Sequence, residues 1–307
     1  MLYSEAKKKA AGILMEAGVE EAGVDAEYLL LQASGYNRST LFMKLFEEIP
    51  DEVLQKYHEL IDRRASREPL QYILGNQDFM GYMFIVTPDV LIPRFDTEVL
   101  AENAIKRAEA AARDRDSFRI LDLCTGSGCV ATSVGLELAK NNVALGKKIN
   151  IEVTGADISE AAIDVAKKNW SVNYDELTTT GLKDVSVNAR FIISDLFGSV
   201  EGKFEIITAN PPYIVREEIQ TLSPEITEHE PHLALDGGDD GMDFYRRICM
   251  EAPRYLTPGG RLLMEFDDAE AEPVAEMMKE AGFEDIEIHR DLAGLRRVVE
   301  GVVREEK

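Results

Sequence analysis

From residue 118 to residue 266 the chain alternates short apolar, β-branched runs with longer segments of helical periodicity, and that alternation leaves few folds open. The strand candidates are residues 119–123, 151–156, 187–193, 205–209 and 261–266, with helical patterns between them, including one over 159–173. Strands joined through helices pair in parallel, in a sheet covered on both faces. The end of the chain departs from the pattern. Residues 286–289 and 297–303 are strand-like and joined by a short polar connection containing Asp291-Leu292-Ala293-Gly294-Leu295. That is too short for a crossover helix, so the two must pair antiparallel or lie apart. No internal repeat or low-complexity segment interrupts the chain.

The 307 residues suffice for one such α/β domain and a smaller partner. The first stretch reads as short helices. Ala6, Ala10, Ile13, Leu14 and Ala17 recur at helical spacing. Asp25 is placed to cap a segment carrying Leu29, Leu30 and Ala33 that Gly35 closes. Ser39 is placed to cap the next, with Leu41, Phe42 and Leu45 buried, and Asp51 to start a third with Val53, Leu54, Tyr57, Leu60 and Ile61 in one stripe. Glu68-Pro69 ends the helical region, because a residue before proline avoids the α conformation. Phe79, Gly81, Tyr82, Phe84 and Val86 then suggest a hairpin turning at Gly81-Tyr82. Thr97 is placed to cap a helix carrying Leu100 and Ile105. The division expected is a helical domain over 1–75, a hairpin linker over 76–93 and the α/β domain over 94–307.

Composition narrows the function. No apolar run approaches the roughly 18 residues of a membrane span, and the basic start lacks the apolar core and cleavage site of a leader, which points to the cytoplasm. Three cysteines make no paired framework. Of the four histidines only His229 and His232 are near one another, in a proline-flanked loop, and no metal site is expected. A net charge of −23 opposes phosphate binding, so a basic protein or a small molecule is the expected partner and nucleic acid is not. The same charge also serves solubility.

The first α/β strand ends Asp122-Leu123 and runs into Cys124-Thr125-Gly126-Ser127-Gly128 before a helix. Glycines at that place let a ligand approach the backbone, with helix N–H groups facing it. Gly126, Gly128 and Ala131 also satisfy the dinucleotide fingerprint, so a dehydrogenase must be weighed. Asp157, at the end of the second strand, is placed to accept ribose hydroxyls in either kind of site. It follows Asp122 by 35 residues, an excess that a polar insert from Asn141 to Lys148 explains. Ser159 is the better-placed helix cap. At the third strand end, Asp195 is placed to accept an adenine amino group, with Leu196 on the ring.

The fourth strand ends Asn210-Pro211-Pro212-Tyr213. Two prolines fix the backbone, so the carbonyls of Asn210 and Pro211 are held rigid. Asn210 adds a side-chain oxygen and Tyr213 a flat face. Such an array suits a planar NH2 group whose lone pair is delocalised. Two acceptors hold its N–H bonds and draw positive charge as nitrogen becomes tetrahedral, without a general base. A nicotinamide site has no use for paired acceptors there.

With that motif in that context, the sequence resembles the release factor glutamine methyltransferases. The resemblance covers nearly the whole chain, including Asp25-Ala26-Glu27-Tyr28-Leu29-Leu30, Arg67-Glu68-Pro69-Leu70-Gln71-Tyr72, the linker Val90-Leu91-Ile92-Pro93-Arg94-Phe95-Asp96-Thr97-Glu98, and the loop Glu230-Pro231-His232-Leu233-Ala234-Leu235-Asp236-Gly237-Gly238. Asn-Pro-Pro-Tyr alone is shared with adenine and guanine amino-methyltransferases; the linker and loop narrow the choice. The resemblance implies a class I methyltransferase sheet, Rossmann-like with a terminal antiparallel hairpin, behind a small helical substrate-docking domain. It implies S-adenosylmethionine bound along Asp122, Cys124, Thr125, Gly126, Ser127 and Gly128, at Asp157, Asp195, Leu196 and Asn210. It places the glutamine of a Gly-Gly-Gln loop in class I peptide chain release factors on Asn210, Pro211, Pro212 and Tyr213, with Arg94 also on the substrate. Alternatives are a glutamine of a ribosomal protein, a nucleic-acid amino group, or a noncatalytic module. Two departures stand out: Cys124 where the family usually has glycine, and Phe95 where it usually has proline.

Overall fold

A computed structural model describes residues 1–113, 115–147, 149–179 and 186–304. Lys148, at the end of the expected insert, and residues 305–307 of the expected α/β domain lie outside them. The chain forms two compact units. One is Met1–Asn76 together with Leu222–His229; the other is Gln77–Thr221 together with Glu230–Lys307.

In the first unit, α1 (Tyr3–Glu16) buries Tyr3, Ala6, Ala10 and Leu14 but leaves Ile13 outside, and Ala17 is its C-cap. α2 (Ala22–Ser34) starts three residues before Asp25, which is therefore an interior residue rather than a cap. Asp25 is buried and accepts Arg64 Nε at 2.7 Å. Gly35, at φ +70°, ends the helix as expected. α3 (Arg38–Lys44) is capped by Asn37, whose Oδ1 accepts Thr40 N at 2.8 Å, not by Ser39. Leu41 is buried, Leu45 half-buried, and Phe42 is 75% exposed, against expectation, because so short a helix turns only one narrow face inward. α4 (Asp51–Ala65) buries Tyr57, Leu60 and Ile61, with Tyr57 donating to the Ala26 carbonyl at 2.8 Å. α5 (Leu70–Leu74) completes the run.

From Gln77 on, β1 (Asn76–Phe79) and then β2 (Tyr82–Ile85) open the second unit. The turn is Met80-Gly81, at φ +55° and +74°, one residue earlier than expected: both central positions of such a tight hairpin turn need positive φ, and Tyr82 is already a buried strand residue. Thr97 ends a short 3-10 turn and makes no side-chain cap for α6 (Glu98–Ala111). β3 (Ser117–Leu123), α7 (Cys129–Ala144), β4 (Asn150–Asp157), α8 (Glu160–Thr179), β5 (Val187–Ile193) and β6 (Phe204–Ala209) follow in the expected alternation. α9 (Pro224–Thr227) lies in the returning segment of the helical unit, where Glu225 accepts from Arg64 at 2.9 Å and from Arg67 at 2.6 and 2.8 Å. α10 (Asp243–Glu251), β7 (Leu256–Glu265), α11 (Ala271–Glu280), β8 (Glu284–Arg290) and β9 (Arg296–Val302) close the fold.

The seven-stranded sheet has the order β5-β4-β3-β6-β7-β9-β8. β3 to β7 are parallel, and β9 runs antiparallel between β7 and β8, so the two terminal strands do pair. Alternate residues feed opposite faces: Ile120 joins the core with Leu100, Val134 and Val153, and Leu121 the core with Ile207, Ile248 and Met264. The chain leaves β3 toward β4 and β5, then returns to its other side as β6. Ligands of open α/β sheets bind at such a switch point, beyond the strand ends. Among the described residues no helix is long and apolar enough to cross a membrane.

Candidate active site

Beyond the ends of β3, β4, β5 and β6 lies a cavity of about 260 Å³. Asp122, Cys124, Thr125, Gly126, Ser127, Asp157, Asp195, Leu196, Asn210, Pro212 and Arg94 line it; Gly128, Pro211 and Tyr213 do not.

Asp122 is 2% exposed and spends its oxygens on the protein. It accepts Thr125 Oγ1 at 2.6 Å, Thr208 Oγ1 at 2.7 Å and Ala131 N at 3.3 Å, fastening the glycine loop to β6 and α7. Burial outweighs those hydrogen bonds and pushes its carboxyl up to about 6, with the Asp157 charge adding to the rise. Cys124 sits at φ +54°, a left-handed conformation that strains any residue with a Cβ, which is the physical sense of a glycine there. Burial, with the charges of Asp157 and Asp122, raises its thiol. Gly128, at φ +77°, is required by a close approach: an added Cβ would lie 3.0 Å from Ala166 Cβ on α8.

Asp157 holds the loop from the other side. Its Oδ2 accepts Gly126 N at 2.8 Å and its Oδ1 accepts Ser159 N at 2.9 Å. Burial raises its carboxyl above the usual range against those bonds. Ser159 Oγ accepts Ala162 N at 3.2 Å and caps α8, as its position suggested. Asp195 takes Arg247 of α10 at 2.8 Å, and Leu196, at φ +48°, is buried beside it.

Asn210 donates from Nδ2 to Thr97 Oγ1 at 3.2 Å. Tyr213 and its successors run alongside the 230–238 loop: Ile214 N donates to Leu235 O at 3.0 Å and Gly237 N to Ile214 O at 2.9 Å. A Cβ on Gly237 would meet the Tyr213 Cα and carbonyl carbon at 2.7 Å, so only glycine admits this approach. Arg94 pairs with Glu230 at 2.5 Å, joining the two sequence segments that carried the resemblance. Burial raises the Glu230 carboxyl, opposed by Arg94.

Sequence reasoning missed Thr97 as a site residue, as well as Arg247 and Phe244 on the wall and Asn169 behind it. Asn169 Nδ2 donates to Ser127 O at 2.9 Å and to Ile85 O at 3.0 Å, tying the glycine loop to the hairpin. It missed Glu265 as well, a buried acid inside the apolar run Leu263-Met264-Glu265-Phe266. A charge within such a run was the available signal.

Sheet order and site together define a class I methyltransferase, and the model of the methyltransferase small domain matches residues 97–288. The model of the PrmC N-terminal domain matches residues 5–75. A release factor glutamine methyltransferase of Geobacter sulfurreducens is 41% identical over 94% of this chain and 93% of its own length. One from Thermodesulfovibrio yellowstonii is 37% identical over 84% of this chain and 85% of its own. A solved structure of a release factor-specific protein-(glutamine-N5) methyltransferase from Alicyclobacillus acidocaldarius is 29% identical, covers 73% of this chain and 100% of that one, and has a TM-score of 0.38. The chain belongs to the release factor glutamine methyltransferase family.

Proposed function

We propose that this protein transfers a methyl group from S-adenosylmethionine to the side-chain amide nitrogen of a glutamine, in the Gly-Gly-Gln loop of class I release factors, in the cytoplasm. The observation that carries the reading is the state of Asn210. Its NH2 end is engaged by Thr97, so its Oδ1 is the end left for an incoming N–H at the cavity wall. The residues present suit the methyl donor. A Cβ at Gly126 would find only Cys124 O, at 4.0 Å, so the loop leaves space beside its backbone. The Asp157 oxygens keep lone pairs for ribose hydroxyls beyond the two N–H groups they accept, and Leu196 offers an apolar surface to a base. Thr125 and Ser127 complete that wall, and Asp122 acts by holding the loop. Bound there, S-adenosylmethionine supplies an electrophilic methyl on a sulfonium.

The protein's own part is orientation. Asn210 Oδ1 and the carbonyls held by Pro211 and Pro212 accept the two N–H bonds of the substrate amide, and Tyr213 supports them through its backbone fit to the 230–238 loop. As nitrogen becomes tetrahedral its N–H groups grow more acidic and these bonds strengthen, so binding is spent on the transition state. Arg94 contacts the substrate with the part of its guanidinium that Glu230 leaves open. The helical unit docks the protein substrate, with Phe42, Met43 and Phe46 at 75, 73 and 81% exposure. A charge of −23 supports a protein partner over nucleic acid.

The test is mass spectrometry of intact release factors after incubation with enzyme and methyl-labelled S-adenosylmethionine. One labelled methyl on the Gly-Gly-Gln glutamine is expected. Label on a ribosomal protein or a nucleic acid, with release factor untouched, overturns the substrate assignment.

A further inference from the structure

Asn210 can offer Oδ1 to a substrate only while its own NH2 is held inward, because a half-turn about the last side-chain bond exchanges acceptor for donor. Thr97 alone does not settle that choice, since a hydroxyl accepts or donates equally well. The acid behind it does. β6 and β7 run parallel with Ala209 opposite Met264, which brings Asn210 and Glu265 side by side at the two strand ends. Glu265 is 3% exposed, and its main-chain oxygen accepts the Tyr245 hydroxyl at 2.8 Å, fixing the strand end. The side chains of Thr97 and Asn210 both act on its carboxyl, lowering it against burial, and its Oε2 is buried with no hydrogen-bond partner. Thr97, also 3% exposed, takes Asn210 Nδ2 and so keeps its own proton for that carboxyl. An apolar side chain would fill the same volume without stranding an oxygen, so packing alone does not account for an acid at this place.

We propose that Glu265 is a positioning residue for methyl transfer: an acceptor-only carboxylate behind Thr97 and Asn210 that holds the Asn210 amide with Nδ2 inward and Oδ1 toward the substrate. A neutral acid or an amide at 265 brings a donor to the same point. Asn210 can then turn over and present its NH2 to the substrate N–H, donor against donor.

The groups around the carboxyl set the pH at which this happens. Burial pushes it up to about 7; the Thr97 hydrogen bond, the Arg297 charge on β9 and the Asn210 bond lower it, and Asp96 before α6 raises it. The Tyr213 and Tyr245 hydroxyls and the Cys129 thiol of α7 also feel the Glu265 charge, and burial keeps all three neutral near that pH. The carboxylate, and with it the orientation of Asn210, is therefore lost as pH falls through about 7.

The inference rests on the role of Asn210 given under Proposed function, so the test has one arm that needs no substrate. By NMR of the free protein, the Asn210 side-chain NH2, assigned by its loss in Asn210→Asp, is expected to exchange with solvent slowly. Glu265→Gln and Thr97→Val are expected to speed that exchange about tenfold or more, and Thr97→Ser to leave it near wild type. In the second arm, Glu265→Gln should lower kcat on release factor by about 10- to 100-fold. Its KM and S-adenosylmethionine affinity should stay within about threefold of wild type, and the fall in kcat below about pH 7 should disappear. Thr97→Ser should keep most of the wild-type kcat and Thr97→Val should not. Unchanged amide exchange in both Glu265→Gln and Thr97→Val overturns the inference. So does a Glu265→Gln kcat within about twofold of wild type, or an acid limb that survives the substitution. Failure of the wild type to methylate release factor strikes the proposed function instead, and the exchange arm then decides Glu265 by itself.

Discussion

The helical unit and the cavity wall of the α/β unit bury acids in opposite ways. In the helical unit Glu225 lies between Arg64 and Arg67; burial raises its carboxyl, but the arginine hydrogen bonds win and bring it to about 2. Arg64 also meets buried Asp25. Asp122 on the cavity wall and Glu265 behind it are surrounded by hydroxyl, amide and N–H groups, and among the described residues neither has an ion-pair partner within 4 Å. Burial carries them up to about 6 and about 7. An acid matched by guanidinium secures the fold at neutral pH, whereas an unmatched buried acid works against stability. Such acids stand where a loop or an amide must be held in one orientation, which is the price of a prearranged site.

The contrast can be broken hardest at Arg64. Arg64→Met leaves Asp25 without its cation and Glu225 with one arginine fewer, and removing one partner of a buried pair costs about 3–5 kcal/mol. Hydrogen exchange along α2 and α4 should report that loss. A change below about 1 kcal/mol would show that the cluster is merely a solvated surface network. Asp157 sharpens the contrast from the cavity side, as an acid that holds N–H groups and still has lone pairs for a ligand. Asp157→Ala should weaken S-adenosylmethionine binding by about 1.5–3 kcal/mol in calorimetry. Unchanged affinity would remove Asp157 from the cofactor's site.

The smallest effect is in pH. Asp122 has a folded-state value raised from 3.8 to about 6, so its contribution to stability is full below about pH 4 and lost as pH rises through 6. Glu225 runs the other way: lowered from 4.5 to about 2, it stabilises above about pH 4.5, and that contribution is lost as pH falls toward 2. Trp170, the chain's single tryptophan, lies on α8 and reports on the α/β unit. Urea unfolding followed by its fluorescence should show Asp122→Asn reducing the loss of stability between pH 4 and 7 by on the order of 2 kcal/mol. Equal slopes for the two proteins would mean that Asp122 is not the strained acid.

What the sequence made legible follows one rule. The glycine loop, Asp157 and Asn210 each sit at the end of an apolar strand just before a turn, so local pattern alone located them. The strand alternation placed the sheet in the same way. Thr97 misled because a threonine before a helix looks like a cap, and its partners, Asn210 and Glu265, are more than a hundred residues away in sequence. The left-handed backbone at Cys124 leaves no trace in composition. Nor does the return of Leu222–His229 to the helical unit, which rests on two arginines more than 150 residues earlier. Phe42 was expected inside because helical spacing marks a stripe without saying how much of it a short helix can bury.

The central claim is that Asn210 orients the substrate amide rather than holding the methyl donor. Single-turnover methyl transfer to intact release factor, at saturating S-adenosylmethionine, tests it when cofactor affinity is measured separately. Asn210→Ala should lower the rate by roughly 100-fold or more, the scale of losing a prearranged transition-state partner, while cofactor affinity changes little. Asn210→Asp keeps an acceptor and should fall between the two. A single-turnover rate for Asn210→Ala within about threefold of wild type, or abolished cofactor binding in that variant, would contradict the claim.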